Sequence, residues 1–353
     1  MSVDRQAAFW LATFVALVAC LWVLGDILLP FVVGMALAYL VDPLANRLER
    51  LGVPRTLAAL LIIGVFVLAF IILVLLIAPI IAGQLSSFIQ NIPGYVRRLQ
   101  TLLVESNTPW LQRIGGKSLV PDKAIDDLVN QGMGWVTAFL KSLWSGGRTL
   151  VSIFSLAVVT PVVAFYLICD WARMMQKVDG WLPVPHRATV HRLGQEIDTA
   201  IAGYVRGQSL VCLLLGSFYA VSLILAGLNF GLLIGLVSGI ISFIPYVGSM
   251  TGLVLAVGVA VAQFWPDWSM ILVIFGIFVV GQFIEGNFLS PKLVGERVGL
   301  HPVWVIFAMF AFGYLFGFVG LLLAVPLAAA VRVIASFLLE RYRASPLYTG
   351  DQP

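Results

Sequence analysis

Residues 227–252 read Gly227-Leu-Asn-Phe-Gly231-Leu-Leu-Ile-Gly235-Leu-Val-Ser-Gly239-Ile-Ile-Ser242-Phe-Ile-Pro245-Tyr246-Val-Gly248-Ser-Met-Thr-Gly252. Glycine recurs at every fourth position from Gly227 to Gly239. On a helix that spacing clears one face of side chains, so a second helix or a solute can approach the backbone. Pro245 follows six residues after Gly239. Proline removes a backbone donor and strains the helix before it. The stretch therefore predicts a glycine-faced helix that runs into a break, far from any charge. A break of that kind is tolerated in a membrane only where protein or a water-filled cavity satisfies the freed backbone groups.

The composition places the whole chain in a membrane. Of its 353 residues, 61% are hydrophobic and only 11% charged, against about 25% charged in soluble domains. Mean hydropathy is +1.02. Residues 6–25, 27–41, 56–96, 149–169, 207–266, 268–284 and 298–331 carry no charge. A spanning helix needs about 20 mostly apolar residues. The chain therefore reads as an all-α, polytopic membrane protein with about eight transmembrane segments. The net charge of +4 reads as loop lysine and arginine rather than a nucleic-acid surface. Cys20, Cys169 and Cys212 lie in apolar runs with no metal or disulfide spacing, so they read as small buried hydrophobes. Arg5 precedes an apolar run with no clear small-residue cleavage site after it, so that run is expected to stay as the first span.

Taken in order, residues 1–78 form an N-terminal transmembrane region. A span over 8–25 is followed by a short one over 27–41, with Asp26 at the tip between them, and residues 56–78 form a third. Residues 79–148 carry seven Lys or Arg and four Asp or Glu. An apolar stripe through Ile125, Leu128, Val129, Val136, Phe139, Leu140 and Leu143 predicts an amphipathic helix starting near Asp122. This segment reads as amphipathic helices on the membrane or against neighbouring subunits, or as a small extramembrane lobe. Residues 149–206 give a span and then, through Val190, Leu193, Ile197, Ile201 and Tyr204, a helix in the interfacial plane. Residues 207–340 form a C-terminal core, and 341–353 a cytoplasmic tail. The positive loops favour cytoplasmic termini.

The core holds two broken elements. Gly239 precedes Pro245 by six residues, and Gly320 precedes Pro326 by six. Paired Gly/Pro-interrupted segments are a pointer to a transporter's midplane site. Each is read as two short spans or as a re-entrant hairpin, and the charge pattern has the hairpins enter from opposite faces. Glu285 is the second lead. An ionisable residue in a span faces a cavity or a partner. Gln282 and Glu285 are three apart and share a helix face, and Asn287 follows. Glu285 is a candidate proton carrier or cation ligand, or else an interface-level acid paired with Lys292 or Arg297. Gly235, Gly239, Ser242, Pro245, Tyr246, Gly320 and Pro326 complete the candidate substrate and coupling-ion set. Ser242 has an alternative role, bonding its own helix backbone. His186, His191 and His301 are scattered, and no nucleotide-binding loop or hydrolase motif is present. No enzymatic function, cofactor or metal is expected.

Several ordered motifs resemble the autoinducer-2 exporter family of bacterial inner-membrane proteins. They are Ala38-Tyr39-Leu40, Asp42-Pro43-Leu44, Gly52-Val53-Pro54-Arg55, Tyr204-Val205-Arg206-Gly207-Gln208, and Ile244-Pro245-Tyr246-Val247-Gly248. They continue with Ile284-Glu285-Gly286-Asn287, Ser290-Pro291-Lys292-Leu293-Val294-Gly295, Val298-Gly299-Leu300-His301-Pro302, and Phe316-Gly317 to Ala324-Val325-Pro326. The resemblance covers nearly the whole chain, and no motif is recognised in 94–148. It implies a secondary transporter in the inner membrane, elevator-like in mechanism and homopentameric. The implied cargo is a small polar solute such as autoinducer-2. Exchange of Na+ or Li+ for protons is the alternative, and a non-transporting scaffold recruiting partners through 94–148 is a third. The expected partners are the substrate, the lipid bilayer and further copies of the chain, with no nucleic acid.

Overall fold

The computed structural model describes residues 25–105, 147–294, 299–345 and 348. The first apolar run and the expected helix from Asp122 lie outside the described residues. The elements are α1 (Gly25–Arg50), α2 (Arg55–Glu105), α3 (Gly147–Trp181), α4 (Arg187–Leu225), α5 (Gly231–Ile241), α6 (Val247–Phe264), α7 (Trp268–Ile284), a π-helical segment (Glu285–Val294) and α8 (Pro302–Arg343). Among the described residues, seven helices are long and apolar enough to span a membrane, and α5 is a shorter apolar helix. The chain is a polytopic helical membrane protein. Leu60, Leu61, Val65, Leu68, Leu75 and Leu76 of α2 are all exposed. An apolar outer surface of this kind suits hydrocarbon and not water.

The described residues fall into two compact units. One takes those within Met1–Ala69, Ser155–Val211 and Asn287–Pro353, the other those within Phe70–Phe154 and Cys212–Gly286. In the first, small residues let the helices close on one another. Ala38, Ala45, Ala59 and Ala164 join Leu37, Val41, Ile63 and Ile168 in one core. A Cβ on Gly34 of α1 would stand 2.9 Å from the Thr160 carbonyl oxygen and from Val163 of α3. The buried Thr160 hydroxyl donates to the Pro30 carbonyl at 3.3 Å. Helix α1 also packs on α8.

The second unit is built on glycine. α4 and α5 run antiparallel, with Gly231 against Leu223, Gly235 against Tyr219 and Ala220, and Gly239 against Gly216. A Cβ on Gly235 or Gly239 would collide with α4 backbone. The glycine face is thus filled by a helix. After α5 the chain turns through 242–246 and returns as α6. Eleven residues rise only about 16 Å, roughly half a bilayer core, while the 18 residues of α6 are long enough to span one; the element is broken at Pro245, as expected. Asp267 caps α7, accepting from the Ser269 amide at 3.0 Å and hydroxyl at 2.6 Å. The Ser269 hydroxyl bond holds that carboxyl below its ordinary range.

Three expectations about helix extent are corrected. The interfacial helix through 187–206 is not separate: α4 is continuous over 39 residues, because its apolar stripe merges with the span that follows. The 56–78 span continues as α2 through Pro79 and Pro93 to Glu105. The span over 27–41 continues to Arg50.

The second broken element reverses at Gly317, where φ is 59° and ψ is −137°. A Cβ on Gly313 would lie 2.9 Å from Leu321, and one on Gly320 would meet the Phe312 carbonyl. Residues eight apart touch only if the chain folds back. Pro326 is buried inside the second arm, where proline's fixed φ fits a helix and one bond is lost. The equal six-residue spacings therefore do not mark equivalent breaks.

Gly317→Ala is expected to cost about 1–3 kcal/mol, the strain of a side chain in glycine-only backbone space. An unaltered thermal unfolding midpoint in detergent would contradict that role. Gly239→Leu is expected to cost about 3 kcal/mol or more, since α4 backbone cannot step aside as a side chain can. The same unfolding measurement checks it.

Candidate functional site

The turn after α5 is held by its own polar groups. The Ser238 hydroxyl donates to the Gly248 carbonyl at 2.9 Å, across the break. The Ser242 hydroxyl donates to the Ser238 carbonyl at 2.8 Å, the back-bonding expected of serine in a helix. Both serines are buried. Gly248 lies against Ser242, and Gly252 against Ser238 and Phe278. Tyr246 sits at the tip with φ 66° and its ring exposed. Pro245 is half-buried beside it.

The opposite ends of α5 and α6 are stapled by glutamines. Gln84 Oε1 accepts from the Leu233 amide at 3.1 Å, one of the donors a helix N-terminus leaves without a partner. Gln263 accepts from the Asn229 amide and donates to the Gly227 carbonyl, both at 2.8 Å. The short α5 and the break after it thus have freed backbone groups met by protein.

Glu285 ends α7 and opens the π-helical segment. The Gln282 amide donates to its carboxylate at 2.6 Å. No ion pair reaches it among the described residues: Lys292 sits over the Phe288 ring at 5.9 Å instead, and Arg297 lies outside the described residues. Glu285 is half-buried and close enough to Cys212 and Tyr219 of α4 to act on both electrostatically. Tyr219 is fully buried, stacks on Phe278 at 4.5 Å and presses on Gly281. Its buried hydroxyl lies beside Gln282. Glutamate, glutamine and tyrosine thus converge between α4 and the end of α7.

The π-helical segment runs ten residues. π turns inside helices are rare and occur frequently at functional sites. Asn287 lies within it. Near its far end, the Leu293 carbonyl crosses so close to Gly207 of α4 that no Cβ would fit there. Of the expected site residues, the structure brings Gln282 and Glu285 together and places Gly235, Gly239, Ser242, Pro245 and Tyr246 on the α5–α6 hairpin. Gly320 and Pro326 belong to the α8 hairpin. No group of three or more His, Cys, Asp or Glu able to hold a metal lies among the described residues.

A second polar centre was not singled out from sequence. Arg55 donates to the Ile168 carbonyl at 2.8 Å, to Asn46 at 3.1 Å and to Glu49 at 2.9 Å, and pairs with Asp42 at 3.3 Å. Arg206 donates to the Tyr39 carbonyl at 2.7 Å and pairs with Asp42 at 3.7 Å. The Tyr39 hydroxyl donates to Asp198 at 2.7 Å. These side chains tie α1, the start of α2, α3 and α4 around a cavity of about 240 Å³. Their sequence signal was the Tyr39, Asp42, Arg55 and Arg206 motif positions. Their distances along the chain hid that they meet.

Comparison with known proteins agrees with this architecture. A family model described as "AI-2E family transporter" matches residues 11–340. The chain is 31% identical to "Putative transport protein YrrI" of Bacillus subtilis (strain 168), over 88% of this chain and 86% of that one. It is 29% identical to "Putative permease PerM" of Escherichia coli (strain K12), over 94% and 93%. It is 25% identical to "AI-2 transport protein TqsA" of the same strain, over 88% and 85%. The chain belongs to the AI-2E transporter family and is a multi-pass membrane protein with a transport function.

Proposed function

We propose that the chain is a secondary transporter of the bacterial inner membrane, exporting a small polar solute such as autoinducer-2 by elevator-like alternating access. One observation carries this reading. Glu285 stands in a membrane-spanning element with a glutamine bond and no cation, at the junction of α7 with a π-helical segment. An acid in the bilayer interior is costly unless it faces a cavity or partner. A carboxylate with no fixed countercharge can exchange a proton or take a cation. The α5–α6 hairpin supplies the interrupted helix that transporters place near their binding sites. The named cargo comes from the relative called an AI-2 transport protein.

The termini lie in the cytoplasm on this reading, since Arg47, Arg50 and Arg55 form a short positive segment. The protein works as a homo-oligomer, in keeping with the pentamers its resemblance implies. Exchange of Na+ or Li+ for protons is the second reading, favoured by the same unpaired carboxylate. Growth rescue of a salt-sensitive host with no change in signal export would select it.

Glu285→Gln in proteoliposomes is expected to reduce pH-driven flux about tenfold or more, the loss of one charge-assisted interaction of roughly 1.5–3 kcal/mol. Undiminished flux that stays coupled to the pH gradient would remove Glu285 from the mechanism.

A further inference from the structure

We propose that the cavity bordered by Tyr39, Asp42, Arg55, Trp171, Asp198 and Arg206 binds a small extended zwitterion, such as a dipeptide or an ω-amino acid. The charges around it are unequally engaged. Arg55 is held by Ile168, Asn46, Glu49 and Asp42 together. Arg206 uses its Nε on the Tyr39 carbonyl and has one long ion pair, 3.7 Å to Asp42. Its side chain is 38% exposed and lines the cavity. Asp198 accepts from the Tyr39 hydroxyl through Oδ1. No cation lies within ion-pair distance of it among the described residues.

The two under-engaged groups are opposite in sign and set apart. Asp198 and Arg206 stand on α4 eight residues from each other, about 12 Å along the helix axis. Tyr39 lies between them, its carbonyl on Arg206 and its hydroxyl on Asp198. The four charged lining residues, Asp42, Asp198, Arg55 and Arg206, sum to zero. A simple anion or cation gains no net attraction from such a set. A solute with a carboxylate at one end and an ammonium at the other meets Arg206 and Asp198 at once. The separation favours a dipeptide over a single α-amino acid. A cavity of about 240 Å³ lies just under the usual range for small-molecule pockets. Trp171 supplies an apolar wall. This inference does not rest on the role given to Glu285.

Titration calorimetry on the purified full-length protein tests it, with glycylglycine, glycine and uncharged N-acetylglycinamide as probes. Saturable glycylglycine binding is expected, tighter than glycine, with N-acetylglycinamide silent. Asp198→Asn keeps an acceptor for the Tyr39 hydroxyl and removes only the charge. It is expected to weaken glycylglycine about tenfold or more with an unchanged unfolding midpoint. Arg206→Gln should weaken it similarly. No saturable glycylglycine binding, equal binding of the uncharged probe, glycine binding as tightly, or an unaffected Asp198→Asn would each overturn the proposal.

Discussion

The contact on which the second unit depends is backbone against backbone, where Gly235 and Gly239 of α5 meet Tyr219, Ala220 and Gly216 of α4. In lipid there is no hydrophobic drive to bring helices together, because the surrounding tails are as apolar as leucine. Close packing has to supply the attraction. A bare glycine face lets many weak contacts form at short range. That contact seats a helix too short to cross the bilayer, so the chain can turn at 242–246 with Ser238 reaching the Gly248 carbonyl. Without the close seat, the turn would expose unpaired backbone groups to hydrocarbon, at several kcal/mol each.

The same helix that receives the glycine face also carries Tyr219 and Cys212 toward Glu285. Structure and chemistry are therefore coupled through α4. Its C-terminal part, through Gly216, Tyr219 and Ala220, packs on the hairpin, and its earlier part carries Asp198, Arg206 and Gly207. Where α7 gives way to the π-helical segment, the helical register changes beside Glu285, an acid with no countercharge among the described residues.

Much of this was legible in the sequence. Long uncharged runs forced a helical membrane protein, and the four-residue glycine period with Pro245 marked the first hairpin, because close approach and helix breaking are local consequences of residue type. Gln282 and Glu285 were readable as a pair because three-residue spacing puts side chains on one helix face. What occupies the glycine face was not readable, since a helix and a solute ask the same of it. Gly317 outranked Pro326 as the point of reversal because φ of 59° is open to glycine, while proline's φ suits a helix interior. The single long α4 was missed because polar residues along 187–206 look interfacial, although nothing in them breaks a helix. The Arg55 and Arg206 centre was missed because its members lie up to 167 residues apart. Spacing rules connect neighbours on one element, not four helices meeting at one end.

The most direct measurement of the central claim is the accessibility of the α5–α6 hairpin during transport. Val247→Cys, in a protein whose Cys20, Cys169 and Cys212 have been replaced, places one thiol at the exposed start of α6. Its reaction rate with a membrane-impermeant maleimide is measured with and without an imposed pH gradient. Alternating access driven through Glu285 requires the rate to change when the gradient is applied, and the change to vanish in Glu285→Gln. An identical rate under both conditions would contradict it.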